Sequence, residues 1–299
     1  FNVIGVDVNE SLVERINDGE TPFEEPGLED LHNIAKSNGK IHATTDFSEI
    51  SDCHIILMVV GTPLDENFNS DLTHLKSAVS SMAPHIGEGS LIMVKSTVPP
   101  GTTTEVIEPI IESGSGYTAG EDFLLVFSPE RVDEGNVLSG LNSLPIVVGG
   151  SSEDAAQIAC QFWNESLGVG TIMVDDAKTA EMVKLSDNLW IDLNIALANE
   201  IALLSDKLGI DANQVISAAN SLPKGQHHVN ILYPSIGVGG YCLTKDPWFL
   251  HKIALENSVE MNTASTSRMV NDSMPKETVK RIVGYLPDGA KNKSKVAVL

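Results

Sequence analysis

The chain has 299 residues, about two ordinary domains, and its 42% hydrophobic content is enough to bury a core. It carries 19 Lys and Arg against 41 Asp and Glu, a net charge of −22, which argues against a nucleic-acid-binding protein. No apolar run approaches the roughly 18 residues of a membrane span. The three cysteines, Cys53, Cys160 and Cys242, are too few for a disulfide framework, so the sequence predicts a cytoplasmic protein.

Apolar runs alternate with amphipathic stretches up to about residue 174, an order that predicts an α/β fold with a doubly wound, Rossmann-like parallel sheet. The predicted strands are residues 2–7, 53–60, 91–95, 123–127, 145–148 and 171–174. The predicted helices among them are residues 10–17, 28–37, 71–83, 103–113 and 152–166. Ligands of such sheets bind beyond the carboxyl ends of the strands.

Between residues 175 and 285, every predicted element is a helix. These helices span residues 177–208, 211–219, 246–257 and 265–285, the last broken or kinked near Pro275. A second, all-helical domain is therefore predicted over residues 175–285, followed by a linker and a new strand in residues 286–299. Both chain ends fall inside apolar runs, so we expect a fragment of a longer protein.

Asp7 ends the first predicted strand, where a Rossmann sheet places an acid that binds the ribose 2′-hydroxyl of NAD and repels the phosphate of NADP. Many acids at strand ends are simply solvated, so Asp7 alone leaves both interpretations open. Loops rich in Gly, Pro and hydroxyl residues follow the next two strands, at residues 61–63 and 95–102. Ordinary turns have the same composition, so the residues alone support an NAD site and plain turns equally.

Glu130 follows the fourth predicted strand, where it is either a general base or an ordinary loop acid. Lys184 and Asn188 are four residues apart on one face of the long helix. A cation and an amide so placed can stabilise an oxyanion, although a solvated helix face is the simpler interpretation.

The loop over residues 237–246 is the most informative segment. Its glycines allow the backbone to approach a ligand closely. Cys242 precedes a predicted helix, where the helix dipole and Lys245 favour a thiolate. We therefore predict a nucleophilic Cys242, in preference to a buried structural cysteine, whereas Cys53 and Cys160 are predicted to lie in the core.

In this order and spacing, these motifs resemble the UDP-glucose/GDP-mannose dehydrogenase family over essentially the whole chain. The segments that carry the resemblance are residues 6–9, 25–28, 61–64, 95–102, 128–130, 184–188 and 237–246. The resemblance implies an incomplete NAD-binding domain over residues 1–174, a central helical domain over 175–285 that forms a homodimer through its long helix, and the start of a nucleotide-sugar-binding domain over 286–299.

The family oxidises the C6 alcohol of a nucleotide sugar to a carboxylate in two NAD-dependent steps. The resemblance implies that Cys242 captures the aldehyde as a thiohemiacetal, which a second oxidation converts into a thioester. It implies an oxyanion-stabilising pair in Lys184 and Asn188, and proton transfer or water positioning by Asp246. It also implies that Glu130 activates the hydrolytic water, which Thr97 positions.

Binding residues are also implied by the resemblance. Those for NAD are Asp7, Arg15, Gly61, Thr62, Pro63, Ser96, Thr97, Glu134 and Lys245. Those for the nucleotide sugar are Glu130, Arg131, Lys184, Asn188, Tyr233, Gly237, Gly239 and Gly240. Many relatives carry a basic residue where this chain has Leu12, so Arg15 is the candidate replacement. The implied site contains no metal.

The substrate is less closely specified by the sequence. Residues 128–132 read Ser-Pro-Glu-Arg-Val, unlike the Asn-Pro-Glu-Phe-Leu of UDP-glucose enzymes, and are more similar to the branch that oxidises UDP-N-acetylhexosamines. UDP-N-acetylmannosamine is favoured, with UDP-N-acetylglucosamine and UDP-glucose as alternatives, and the acid product suits polysaccharide synthesis. Two other functions stay open. One is a single-step β-hydroxyacid dehydrogenase, which needs no cysteine, and the other is an inactive dimerisation or binding fragment.

Overall fold

The computed structural model describes residues 1–132, 135–225, 227–286 and Lys295. Its strands are β1 Val3–Val6, β2 Ile41–Thr44, β3 Ile55–Met58, β4 Leu91–Val94, β5 Leu124–Phe127, β6 Ile146–Gly150, β7 Thr171–Met173, β8 Pro223–Lys224 and β9 His227–His228. Its α-helices are α1 Glu10–Asp18, α2 Leu28–Ser37, α3 Thr73–Met82, α4 Glu108–Ser115, α5 Val137–Leu141, α6 Glu153–Leu167, α7 Ala177–Leu208, α8 Ala212–Asn220, α9 Asp246–Glu256 and α10 Asn262–Tyr285. Short 3₁₀ turns occupy Phe47–Asp52 and Ala83–His85, and a π-helical turn, Thr103–Ile107, leads into α4.

The chain divides into two compact units. The first unit comprises Phe1–Asp65 and Ser70–Lys184, and the second comprises Glu66–Asn69 with the chain from Leu185 onward. Helix α7 begins in the first unit and continues into the second. The domain limits derived from the sequence stay a prediction, and the proposed linker and strand over residues 286–299 lie outside the described residues, apart from Leu286 and Lys295.

The first unit contains a parallel pair, β1-β2, and a five-stranded sheet of order β3-β4-β5-β6-β7. The predicted α/β class is confirmed, and β3, β4 and β5 are parallel, which brings their carboxyl ends to one edge. The sheet is mostly parallel, and among the described strands the one departure from the predicted parallel order is β6, which pairs antiparallel with β5. The alternation of strands and helices does not fix the direction of every strand, and mixed sheets are common among doubly wound folds.

Both faces of this sheet are covered, which explains why its strands are continuously apolar. All four residues of β4 are buried. One face packs against side chains of α3 and α4, including Leu75 and Ile111, and the other packs against α6 through Trp163. At the edge of β6, a Cβ on Gly149 would lie 2.1 Å from the Asp176 carbonyl oxygen, so only glycine fits there.

The second unit is helical, as predicted, and its core contains a buried polar network. Arg268 of α10 is 1% exposed and pairs with the fully buried Asp192 of α7 at 2.6 Å. Asn271 donates to the same Asp192 carboxylate at 2.8 Å. Helix α10 starts at Asn262, three residues earlier than predicted, and it continues through Pro275 without a break.

Several short elements were missed by the sequence prediction. They are β2, α5, the strands β8 and β9, and the 3₁₀ turns at Phe47–Asp52 and Ala83–His85. Each has six residues or fewer, which is too short to show a period against its neighbours. Among the described residues, no helix combines the length and apolar content of a membrane span.

Candidate active site

The loops after β3 and β4 are joined to each other in the first unit. The Thr62 hydroxyl donates to the Thr97 carbonyl oxygen at 2.6 Å. The Ser96 N–H and hydroxyl both donate to the carbonyl oxygen of Met58, at 3.2 and 3.3 Å. The structure thus brings together the Gly61-Thr62-Pro63 and Ser96-Thr97 segments that the sequence singled out, at the carboxyl edge where doubly wound sheets bind ligands.

Asp7 directly follows β1 and is exposed. Its backbone N–H donates to Thr44, and one side-chain oxygen accepts from the N–H of Asn9 at 2.9 Å. An exposed carboxylate at a strand end fits the hydroxyl groups of a ribose. Arg15, proposed for the same ribose, pairs with Glu20 at 2.8 Å, so a ribose contact has to compete with that ion pair. Glu134 lies outside the described residues.

Glu130, three residues after β5, is held by three donors. Its Oε1 accepts from the N–H groups of Arg131 and Val132 at 2.8 and 3.0 Å, and its Oε2 lies 3.4 Å from Lys95 Nζ. Burial by itself raises the pKa of Glu130, but the Lys95 charge and the two N–H groups outweigh burial, so the pKa lies below its ordinary value. Glu130 is therefore an ionised carboxylate at neutral pH.

Lys95 is the first residue of the 95–102 motif, but the sequence suggested no role for it. Its side chain is 10% exposed, and its ammonium donates to the Ser128 carbonyl oxygen at 3.3 Å and lies 4.9 Å from the Trp163 ring centre. Burial lowers the pKa of Lys95, the Glu130 carboxylate partly compensates, and the Lys184 charge adds a smaller lowering. Lys95 thus belongs to the same charge cluster as Glu130 and Lys184.

Glu181 was not identified from the sequence either. This residue of α7 is fully buried and accepts hydrogen bonds from the N–H groups of Gly101 and Thr103 at 2.5 and 2.8 Å. The Thr103 hydroxyl adds a third, at 2.6 Å. Glu181 therefore anchors the end of the Ser96-Thr97 loop, and its position three residues before Lys184 was the available signal.

Cys242 is exposed and lies in the second unit, on a turn that leads into α9. Its carbonyl oxygen accepts from the N–H groups of Lys245 and Asp246 at 3.1 and 2.9 Å, which fixes the turn. Helix α9 begins at Asp246, four residues after Cys242, so the cysteine precedes the first helical turn.

Asp246 is fully buried and forms the centre of a polar cluster behind this turn. Its Oδ1 lies 2.6 Å from Lys245 Nζ, and its Oδ2 accepts from the Asn188 side-chain amide at 2.5 Å. The Lys245 ammonium also lies 4.5 Å from the Phe249 ring centre. The structure therefore brings together three of the predicted site residues, and the charge of Lys245 is directly balanced by Asp246.

The chain segment over residues 230–243, which leads into this turn, is positioned by residues that the sequence did not point to. Asn194 donates to the Asn230 carbonyl oxygen at 2.6 Å and accepts from the N–H of Leu232 at 2.8 Å, next to the exposed Tyr233. Arg268 reaches the Leu243 carbonyl oxygen at 3.4 Å. These contacts tie the segment to α7 and α10, and the asparagines within the long helix were a signal for the contacts of Asn194 but not for that of Arg268.

The glycines of this loop differ in what they require. Gly237 and Gly240 have φ of +135° and +82°, a backbone conformation that L side chains rarely adopt. A Cβ on Gly237 would also lie 3.2 Å from the Asn271 carbonyl oxygen. Gly239 has open space at its Cβ position, which leaves its backbone accessible.

Comparisons with known proteins agree with these observations. Residues 1–166 match the NAD binding domain of the UDP-glucose/GDP-mannose dehydrogenase family, and residues 178–273 match the central domain of that family. The chain is similar to a UDP-N-acetyl-D-mannosamine dehydrogenase of Methanocaldococcus jannaschii, at 39% identity over 94% of this chain and 62% of the relative.

A protein of the same name from Methanococcus maripaludis is 36% identical over 100% of this chain and 66% of the relative. Among solved structures, UDP-D-ManNAc dehydrogenase of Pyrococcus horikoshii matches with a TM-score of 0.88 and 33% identity, over 95% of this chain and 66% of that one. The chain thus spans slightly less than two thirds of the length of these relatives. Since the two domain models together match most of its length, the chain belongs to the UDP-glucose/GDP-mannose dehydrogenase family.

Proposed function

We propose that the whole protein oxidises the C6 alcohol of UDP-N-acetylmannosamine to a carboxylate, with NAD as oxidant and Cys242 as covalent nucleophile. The observation that carries the proposal is the exposed Cys242 on a turn backed by the buried Asn188–Asp246–Lys245 cluster. A β-hydroxyacid dehydrogenase, which completes one oxidation, has no use for such a cysteine.

The first unit supplies the cofactor-binding groups. Asp7 would bind the adenosine ribose, while the backbone and hydroxyl groups of Gly61–Pro63 and Ser96–Thr97 line the carboxyl edge of the sheet. When bound, NAD supplies a hydride acceptor for each of the two oxidations. Two molecules of NADH are therefore released for every sugar oxidised.

The second unit supplies the nucleophile. After the first oxidation, the Cys242 thiolate adds to C6 of the aldehyde and forms a thiohemiacetal, which cannot leave the enzyme. Loss of the second hydride from C6 and of the hydroxyl proton yields a thioester. Lys184 and Asn188 stabilise the negative charge on the C6 oxygen in these steps, and Asp246 holds Asn188 in position through its 2.5 Å hydrogen bond.

Hydrolysis of the thioester requires a base. Water attacks C6, its proton passes to Glu130, and the C–S bond breaks to release the carboxylate and the Cys242 thiolate. Glu130 suits this role because its lowered pKa keeps it ionised at neutral pH. Thr97 is proposed to orient the water.

The choice of UDP-N-acetylmannosamine rests on two supports. The relatives reported above are described as UDP-N-acetyl-D-mannosamine dehydrogenases, and residues 128–132 depart from the pattern of UDP-glucose enzymes. Arg131, Tyr233 and the glycines at 237, 239 and 240 are proposed substrate contacts.

A homodimer through α7 is part of the proposal. Apolar side chains on one stripe of this helix stay exposed in the chain by itself, at Trp190, Leu193, Leu197, Leu204 and Leu208. Their spacing of three, four, seven and four residues keeps them on one face, which fits packing against a second copy.

The test is an NADH-release assay of the full-length protein with UDP-N-acetylmannosamine, UDP-N-acetylglucosamine, UDP-glucose and GDP-mannose. We expect two NADH per UDP-N-acetylmannosamine. Cys242→Ala should lower turnover at least about 1000-fold, since the covalent step has no substitute. Cys160→Ala, at a half-buried cysteine of α6, is the matched control and should leave turnover intact. One NADH per sugar, or an active Cys242→Ala variant, contradicts the proposal.

A further inference from the structure

Lys95 and the residues around it form a cluster that is built more tightly than a surface ion pair. The ammonium meets a carboxylate (Glu130, 3.4 Å), a backbone carbonyl (Ser128, 3.3 Å) and an aromatic face (Trp163, 4.9 Å). Trp163 is itself fixed, because its indole N–H donates to the Ser128 hydroxyl at 3.1 Å and its side chain is buried in the sheet core. Three elements, β4, β5 and α6, thus converge on one ammonium group.

Few orientations are left to a lysine in such surroundings. A cation over an indole ring is stabilised by the ring quadrupole, and more strongly when water is excluded. Since the Lys95 side chain is only 10% exposed, the effect of its charge on Glu130 is screened less than that of a lysine on the surface. The Glu130 side chain is 41% exposed, so one side of the carboxylate is held by the protein and the other faces outward.

We propose that Lys95, held by Trp163 and Ser128, is the positioning residue that aims the Glu130 carboxylate and keeps it ionised for thioester hydrolysis. The inference rests on the function proposed above for Glu130. Lys95 itself touches neither sugar nor cofactor in this assignment, and it acts only through Glu130.

A specific kinetic signature follows from this role. The two hydride transfers do not need Glu130, whereas the hydrolytic step does. In the full-length Lys95→Met variant we expect a rapid burst of two NADH per Cys242, followed by steady-state turnover about 10- to 100-fold below wild type. The thioester should accumulate and be visible by mass spectrometry as a covalent adduct on Cys242.

The dependence of the hydrolysis rate on pH is a second test. If Lys95 only stabilised the fold, its replacement would not change the pH at which hydrolysis falls off. Among the described residues, the charged groups that act on this site are Lys95, Glu130 and Lys184. Removal of the Lys95 charge leaves burial unopposed by its strongest partner, so the pKa of Glu130 rises. The acid limb of the hydrolysis rate should therefore move to higher pH in Lys95→Met, and stay near its wild-type position in Lys95→Arg, which keeps the charge over the ring.

A double-mutant cycle decides whether Lys95 acts through Glu130. If it does, Lys95→Met combined with Glu130→Gln should be no slower in hydrolysis than Glu130→Gln alone, whereas additive losses overturn the assignment. If Lys95→Met does not fold, Trp163→Phe replaces it, since it keeps a ring but loses the indole N–H. It should shift the same acid limb upward by a smaller amount, and an unmoved limb overturns the assignment.

The assay also separates this inference from the proposed function. A wild-type protein that oxidises none of the four nucleotide sugars overturns the function and the role of Lys95 together. A wild type that releases two NADH per sugar, combined with an unchanged steady state in Lys95→Met, overturns the role of Lys95 alone.

Discussion

Asp246 shows how a single buried side chain determines the geometry around a candidate nucleophile. A fully buried carboxylate is costly unless it is paired and hydrogen-bonded, and Asp246 meets both conditions. Lys245 balances its charge, and Asn188 fills its second oxygen. From its position as the first residue of α9, the Asp246 carboxylate therefore holds the Asn188 amide that is proposed to stabilise the oxyanion.

Replacing Asp246 with Asn tests this arrangement. The amide keeps the shape but leaves the Lys245 ammonium buried without a counter-charge, so we expect a loss of about 3 kcal/mol in the free energy of unfolding. Turnover should fall about 100-fold or more, because the single acceptor oxygen of Asn can serve Asn188 or Lys245 but not both. Urea denaturation and NADH release measure the two effects.

The double variant Lys245→Met, Asp246→Asn separates stability from activity. Without a buried unpaired charge, it should regain part of the lost stability but none of the turnover. An Asp246→Asn variant as stable and as active as wild type would show that the buried pair has neither role.

At the scale of elements, the start of the helical segment after β4 depends on a residue about 80 positions later in the chain. The first N–H groups of a helix have no partner within the helix. Here Glu181 of α7 accepts from Gly101 and Thr103. The loop that carries Thr97 is therefore held at one end by its strand, β4, and at the other by α7.

Glu181→Gln should weaken this connection. Glutamine has only one acceptor oxygen, so the N–H of Gly101 or Thr103 is left unpaired, at a cost of about 1–3 kcal/mol in the free energy of unfolding. Glu105→Gln, at an exposed ion pair with Lys178, is the matched control and should change stability by less than about 0.5 kcal/mol.

The loss should also depend on pH. Burial raises the pKa of Glu181, and the hydrogen bonds from Thr103 and Gly101 compensate only in part. A carboxyl whose pKa is raised on folding binds its proton more tightly in the folded state, so its contribution to stability falls as pH rises from the ordinary value through the raised one. The difference in unfolding free energy between wild type and Glu181→Gln should therefore become smaller as pH rises above the ordinary pKa of a glutamate, and a difference that grows would contradict the raised pKa.

At the scale of the whole molecule, the apolar stripe of α7 is an exposed surface that calls for a partner. A helix that packed only within its own chain would not leave Trp190 and Leu197 about half exposed, at 50% and 46%. The proposed homodimer accounts for this stripe.

Leu197→Glu should convert the proposed dimer into a monomer. The charge would be buried against a second copy of the same helix, so the dimer should weaken at least about 100-fold in dissociation constant. Sedimentation velocity measures the change, and Glu165→Gln, at an exposed position of α6 away from the stripe, is the control. A dimer that is unchanged by Leu197→Glu places the interface elsewhere.

The net charge of −22 also acquires a different meaning at this scale. The proposed ligands, NAD and a nucleotide sugar, are anions that the overall field of the protein repels. Their binding has to depend on local cations such as Lys184 and on backbone N–H groups, whose effect is short-ranged in salt.

The sequence by itself determined the α/β class, the position of the long helix, the family and the residues around Cys242. These features depend on local periodicity and on motifs whose members lie within about ten residues of one another. The predicted roles of the site residues remain predictions, since they depend on ligands bound to the whole protein.

Only the tertiary structure decided which distant residues meet. Lys95, Glu130 and Trp163 come from three elements, and no period in the sequence relates them. Glu181 and Gly101 are joined across 80 residues, and Arg268 and Asp192 across 76. The antiparallel pairing of β6 with β5 is likewise not encoded in any local period of the sequence. Such contacts follow from strand order and packing, because a side chain's partners are set by the elements that surround it in space.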